Sequence, residues 1–394
     1  MQPFESKVLF ESSQWQDSNA QFTVFIGIKG ERWVSDVIKN LDSQIWRKNP
    51  VLIVLNGPNN IASEKLVTWA RTSDLKIRLV ENSLNLGAFG NWEHHRLNVK
   101  TPWVVWMHAD DVYLPTYLLT FAKLIPLHSG VGGIVLGLGQ ATSDGAPSHR
   151  LPTPNGHLSL APGHQVLLEI LSGHLFPTPT LAVRLDALDG FKTQWHDSYG
   201  GDSELFFHLS TMGGVLVVQE NFAFYRDNPI SQARQALSHH NEFAWTGSVT
   251  NIIYSPVFET AISQVPDKDR LNYAKQLMHN ATSRFPTSLV NPYLRILILQ
   301  RLVESWQYKV ISVNNLLREE YLQYGEGSLT NNLIELSGQT EPEIFKDVSN
   351  TTANSKKFNI RELISFMLNL LPLSMSERIW RFASRAKRLV RKNR

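Results

Sequence analysis

The stretch WVVWMHADD, residues 103–111, runs five large apolar residues straight into a histidine and two adjacent aspartates. Carboxylates side by side repel, and burying either is costly unless a cation or several hydrogen-bond donors compensate. Asp110 and Asp111 therefore mark a place at which chemistry can occur, while His108 reads as a strand-end hydrogen-bonder. The alternative is an ordinary strand end, with the aspartates in a turn or capping the next helix. Hard divalent cations favour oxygen ligands, and Mg2+ or Mn2+ is usually held by one or two carboxylates together with substrate phosphates. Such an ion would neutralise the pair.

The elements that must carry this centre are readable from periodicity. FTVFIGI (22–28), VLIVLNGPNN (51–60), KIRLVEN (76–82) and TPWVVWM (101–107) read as strands rich in β-branched and aromatic residues. Between them lie helical stretches over 32–46, with Trp33, Val37, Ile38, Leu41 and Ile45 three and four apart, and over 63–73 and 91–99. Alternating strands and helices imply an α/β fold with a mostly parallel sheet, whose ligands bind beyond the carboxyl ends of the strands. Asn56-Gly57, the loop Asn85–Gly87 and Asp110-Asp111 all fall at such ends. Further on, 130–142 is a Gly-rich strand, 143–156 a surface loop, GGDSELFFHLSTMGG a helix entered through an acidic turn, and VLVVQENFAFYRD another strand.

Composition removes several classes of function. The 394 residues are 42% hydrophobic and 19% charged with a net charge of +3, ordinary for a soluble protein and too small to imply nucleic acid. With no cysteine there is no disulfide, thiolate metal site or cysteine nucleophile. No apolar run reaches about 18 residues and the N-terminus lacks a secretory pattern, so a cytoplasmic protein without a transmembrane helix is expected. The first strand-to-helix turn, GIKGERW, is not a dinucleotide fingerprint, and GVGGIV fails at its last glycine. A Walker lysine and HExxH are absent, and His94 and His95 cannot share one helical face as metal ligands would.

In its ordered set of motifs the chain resembles the inverting family 2 glycosyltransferases of GT-A fold, over roughly residues 20 to 235. Leu55-Asn56-Gly57-Pro58 stands where that family has a DDGS- or DNGS-like turn, and Asn85-Leu86-Gly87 matches its NxG loop. His108-Ala109-Asp110-Asp111 matches its DxDD motif. Asp189-Gly190-Phe191 and Gly201-Asp202 match a GGF-like turn and an ED-containing helix. Tyr225-Arg226, with residues 227–231, echoes YRxHxxS. The departures are Leu55 and Asn56 for an acidic pair, His108 for the first acid, Trp92-Glu93 for Arg-Asn, Gly201 for the Glu of ED, and Asn228 for a histidine.

The resemblance implies a nucleotide-diphosphate sugar donor, a glycan or lipid-linked hydroxyl acceptor, and Mn2+ or Mg2+ held by Asp110 and Asp111. Asp202 would be the general base; its alternative is a helix cap. Asn56, Asn85, Gly87, His108 and Arg226 would bind the donor. For Arg226 the alternative is an ion pair with Asp227 or Glu220, and for Asn56 an ordinary turn. Phe176, Trp195 and Tyr199 fall in segments flanking the acceptor. Competing readings are a non-catalytic sugar-nucleotide-binding relative and a nucleotidyltransferase on a similar sheet.

Expected boundaries are an N-terminal extension over 1–20, the transferase domain over 21–235, a helical region over 236–336, a polar linker over 337–358 and a basic amphipathic tail over 359–394. In the tail, Ile379, Trp380, Ala383, Ala386 and Leu389 make one face beside many arginines and lysines. That pattern suits an anionic membrane surface, on the inner face of the membrane; docking on the catalytic domain and a solvated tail are the alternatives. No nucleic-acid partner is expected.

Overall fold

The computed structural model describes residues 5–15, 19–142, 145, 147–150, 159–172, 178–191, 201–226, 249–250, 252–283, 291–307 and 310–325. The chain divides into two compact units, Met1–His240 with Glu259–Gln264, and Asn241–Phe258 with Val265–Arg394.

The first unit is built on one sheet. In chain order it comprises β1 (Ser6–Glu11), β2 (Phe22–Ile28), α1 (Val34–Asp42), β3 (Pro50–Leu55), α2 (Asn60–Thr72) and β4 (Lys76–Asn82). There follow α3 (Gly87–His95), β5 (Trp103–Trp106), β6 (Val112–Tyr113), α4 (Tyr117–Leu127), β7 (Gly133–Ala141) and β8 (Pro147–Arg150). The remainder is β9 (Ser159–Ala161), α5 (Gly163–Leu171), β10 (Leu181–Arg184), α6 (Gly201–Thr211) and β11 (Val215–Arg226). The strand order is β1-β4-β3-β2-β5-β10-β7-β11-β6, with β8 on β7 and β9 on β11. Six of the nine strands on that path (β4, β3, β2, β5, β7 and β11) run the same way. The expected mostly parallel α/β sheet is what is observed.

Its centre follows from the sequence. Every residue of β3 and β5 is buried, as is all of β2 except the half-buried Gly27. Strands covered on both faces must be apolar throughout, which is why they read as unbroken apolar runs. Helix α1 lays Val34, Val37 and Leu41 against this core. It ends at Asp42, so Ile45, counted on the same stripe in the sequence, lies past it and is 60% exposed. Helix α2 starts where Asn59 caps it, its side chain accepting from the Ala62 N–H at 2.9 Å.

Four strands were not anticipated, among them the short β6 and β9. β1 lies in the stretch read as an extension, pairs antiparallel with β4 and is mostly exposed. β8 lies in the segment read as a surface loop and pairs with β7.

The glycines of β7 are a packing requirement. A Cβ on Gly137 would stand 2.5 Å from the Gln219 carbonyl oxygen and 2.6 Å from that of Glu220, where β11 bulges toward it. Backbone cannot give way as a side-chain tip can.

The second unit contains helices at Arg270–Ser283, Asn291–Ser305 and Ile311–Gly325. Tyr273, Ala274, Leu277, Met278 and Ala281 form the buried stripe of the first, and Arg295 of the second pairs with Glu320 of the third. Among the described residues no helix is long and apolar enough to cross a membrane. The expected linker and tail, with Phe176, Trp195, Tyr199 and 227–231, lie outside the described residues.

Gly137→Ala is predicted to cost about 1–3 kcal/mol, the usual penalty of overpacking. Urea denaturation measures it, and an unchanged midpoint would show that β11 accommodates the methyl group.

Candidate functional site

The chain passes from β2 to β3 and β4 on one side of the sheet, and β5 lies on the other side of β2. The carboxyl end of β2 is thus the switch point at which open α/β sheets bind ligands. The ends of β3, β4 and β5 surround it and deliver Asn56, the Asn85–Gly87 loop and the His108–Asp111 loop respectively.

The loop after β5 is pinned from three directions. The His108 N–H donates to the Tyr113 hydroxyl at 2.6 Å. From α1, the buried Asn40 donates its amide to the Asp111 carbonyl at 2.8 Å and accepts from the Tyr113 N–H at 3.2 Å. From the end of β11, the Arg226 N–H donates to Asp111 Oδ1 at 3.1 Å. Asp111 is 1% exposed, and its Oδ2 is buried without a hydrogen-bond partner. Burial pushes the Asp111 carboxyl well up, neighbouring Asp110 adds to this, and the Arg226 N–H and guanidinium oppose it. The sequence question has a structural answer: one carboxylate of the pair is interior, the other half-buried at the surface.

His108, Asp110 and Asp111 each offer a ligand atom, all within 4.8 Å of one another, and His108 Nδ1 stands 3.9 Å from Asp111 Oδ2. An orphaned buried carboxylate oxygen beside an imidazole and a second carboxylate is a donor set that fits a divalent first-row cation.

Asp202 is the second residue of α6 and its Oδ2 accepts from the Thr178 hydroxyl at 3.0 Å. Thr178 opens a short 3-10 turn, Thr178–Thr180, tied to the end of β5 by the Tyr117 hydroxyl, which lies 2.7 Å from the Trp106 carbonyl and 2.9 Å from that of Pro179. Asp202 is exposed, although protein groups lie near its carboxyl. Those surroundings raise its carboxyl above the ordinary aspartate value, opposed by the charge of His108 and by the Thr178 hydrogen bond. Desolvation draws the His108 ring below its ordinary value, opposed by Asp110 and then Asp202. His108 thus feels both Asp110 and Asp202, which lie in its neighbourhood.

Arg226 is tied to α1. Its side chain is buried, and Nη2 donates to Asp36 Oδ1 of α1 at 2.7 Å, not to Glu220. The guanidinium lies 4.9 Å over the Trp33 ring.

On the other side of the switch point the groups are neutral. Asn56 donates to the Gly87 carbonyl and accepts from the Leu86 N–H, both at 2.9 Å, fixing the loop after β4. The Asn85 side chain accepts from the Gly87 N–H at 2.9 Å in an Asx turn, and Gly87 takes φ +72, which favours glycine. Beneath this loop, Asn82 donates to Asn91 Oδ1 at 2.8 Å and accepts from His95 Nε2 at 2.7 Å, all three side chains being buried. His95 must therefore carry its proton on Nε2, leaving Nδ1 buried without a partner. Desolvation, with the charges of His94 and Arg78, brings His95 down to about 4. Asn40, Asp36, Tyr113, Thr178 and this Asn82–Asn91–His95 group escaped the sequence reading. Their only sequence signal is polarity within otherwise apolar elements.

The His95 value has a consequence for stability. The unfolded state, near 6.5, binds the proton before the folded state does. The contribution of His95 is therefore complete above about pH 6.5 and is lost as pH drops toward 4, a change of about 3 kcal/mol over that window. His95→Gln, which keeps a donor toward Asn82, should flatten this part of the profile. Urea midpoints between pH 7 and 4.5 test it, and parallel profiles for the two proteins would remove His95 as the cause.

Residues 24–176 match the model of the family described as Glycosyl transferase family 2. An uncharacterised glycosyltransferase of Methanocaldococcus jannaschii is 27% identical over 89 residues, 22% of this chain and 30% of that protein. The chain thus spans under a third of the length of that relative. Among solved structures, S. aureus TarS in complex with UDP-GlcNAc is 12% identical, covering 77% of this chain and 92% of that one, with a TM-score of 0.45. A Pyrobaculum calidifontis mannosyltransferase in complex with GDP-Man and Mn2+ is 13% identical, covering 87% and 91%, also with a TM-score of 0.45.

Proposed function

We propose that this chain, a glycosyltransferase by its family 2 region at residues 24–176, is a divalent-cation-dependent inverting enzyme that moves a sugar from a nucleotide-diphosphate donor to a hydroxyl of a glycan or lipid-linked acceptor. The observation that carries this reading is the convergence of His108, Asp110 and Asp111 at the end of β5 with Asp202, held by Thr178. The GT-A-type arrangement of the sheet, with the site at its switch point, is consistent with it.

Asp110 and Asp111 would hold the cation, Mn2+ or Mg2+. When bound, it supplies positive charge against the charge that develops on the departing diphosphate. The chain's own residues do the rest. Asp202 accepts the acceptor hydroxyl's proton as that oxygen bonds to the anomeric carbon. The bond from that carbon to the diphosphate breaks, the nucleoside diphosphate leaves with the electron pair, and a single in-line displacement inverts the configuration. The raised Asp202 carboxyl suits this work, since a base closer to neutrality draws the proton more strongly. The Asn56-anchored loop, with Asn85 and Gly87, would border the nucleotide. Arg226 would serve the donor indirectly, through the Asp111 carboxylate that its N–H holds.

Surface polysaccharide or glycolipid assembly is the setting this reading suits, with the transferase domain at 21–235 and the basic tail at 359–394 on the inner face of the membrane. Each basic residue near an anionic surface contributes roughly 1 kcal/mol.

Incubation with a panel of UDP-, GDP- and dTDP-sugars and Mn2+ or Mg2+ should release nucleoside diphosphate from one donor. Asp110→Ala should lose both metal dependence and turnover. Asp202→Asn should abolish transfer while donor binding stays intact; retained turnover would refute the assignment. The acid limb of the rate profile should fall above the ordinary aspartate value of 3.8, because a protonated Asp202 cannot accept a proton. Separately, truncation from Asn359 should release the protein from anionic liposomes in a flotation assay. Equal flotation of the truncated and full chains would place membrane affinity elsewhere.

A further inference from the structure

His108 stands where a carboxylate is expected, and its surroundings say what the exchange does. Its main chain is fixed by the Tyr113 hydroxyl at 2.6 Å, while 40% of its side chain remains open to solvent. Nδ1 lies 3.9 Å from Asp111 Oδ2, too far for a hydrogen bond. Yet two ligands of one ion, each bonded at about 2.1 Å, can stand up to about 4.2 Å apart. The facing oxygen is the buried one without a partner, its twin being held by the Arg226 N–H. The half-buried Asp110 completes a set of ligand atoms within 4.8 Å of one another.

The geometry points to His108 as a nitrogen ligand of the cation, opposite Asp111 Oδ2, making the centre a mixed nitrogen and oxygen site that prefers Mn2+ and later first-row ions to Mg2+. Mg2+ favours an all-oxygen shell, whereas imidazole suits transition metals. This assignment rests on the transferase reading only for the cation's task, and concerns how this chain selects its ion.

Pulsed electron paramagnetic resonance of Mn2+ bound to the full chain decides the matter, because a ligating imidazole nitrogen modulates the signal. Spectra are recorded with Mn2+ alone, with UDP and with GDP. Nitrogen coupling is expected in at least one state, should change when histidine alone carries heavy nitrogen, and should vanish in His108→Asp. The Mg2+ concentration that displaces half the Mn2+ should fall about tenfold or more in that variant. The histidine label tests the wild-type protein itself, so the result does not depend on the variant folding. Absence of Mn2+ binding, absence of coupling in all three states, or coupling that persists in His108→Asp overturns the assignment. Sugar transfer without nitrogen coupling would sink this inference alone. Coupling without turnover of any donor would count against the transferase reading and leave the ligand standing.

Discussion

The interior carboxylate of Asp111 is the constraint around which the first unit is arranged. Placing a carboxylate where 1% of it meets solvent, next to a second carboxylate, costs several kcal/mol unless the surroundings compensate. The compensation comes from distant parts of the chain. The N–H of Arg226 reaches Oδ1, the guanidinium of Arg226 lends its charge, and the amide of Asn40 takes the Asp111 carbonyl. The guanidinium is in turn neutralised by Asp36, on the same helix as Asn40. Helix α1 therefore holds the aspartate loop twice, directly and through β11, and β6 pairs with β11 between them. One oxygen, Oδ2, is left over, and it is the one that faces His108.

The two sides of the switch point differ in electrostatic character, and the difference divides their tasks. The β5 side carries His108, Asp110, Asp111 and, through the Thr178 turn, Asp202. The β3 and β4 side carries Asn56, Asn82, Asn91 and His95, with the ring of His95 held neutral by burial. In a buried neutral network each bond that is made is hard to exchange, because the group lacks water as an alternative partner. Stiffness is what a loop bordering a ligand needs. It also explains how Asn56 can stand where an acid is expected: its amide fastens Leu86 and Gly87, and the position acts through the loop it fixes.

Much of this was legible in the sequence, for reasons particular to each element. β2, β3 and β5 are covered on both faces, so unbroken apolar runs announce them, and β4 alternates only partly. β1 was not legible because it pairs through backbone groups while most of its side chains stay exposed. β8 begins at a proline in a polar stretch, and β6 has two residues, too few for any period. In the site, the residues proposed to meet a ligand announce themselves as polar groups at strand ends. The residues that hold them do not: Asn40 reads as an ordinary helix residue, and its bond to Asp111 spans 71 positions. The ion pair of Arg226 spans 190, so residues 220 and 227 were the natural guesses and Asp36 was not.

The same constraint gives His108 a reason to be a histidine. Ionised, Asp110 and Asp111 bring two negative charges, which one divalent cation balances. A carboxylate at 108 would bring a third, within reach of the oxygen that is already hardest to ionise. It would also add to the repulsion met by an incoming diphosphate. A neutral imidazole supplies a ligand atom without a charge. In the proposed reaction Asp111 can then remain interior, and the cation's charge is left to act on the donor. On this reading the departure from the family motif belongs to a site balanced for a buried aspartate, and is not the remnant of a lost one.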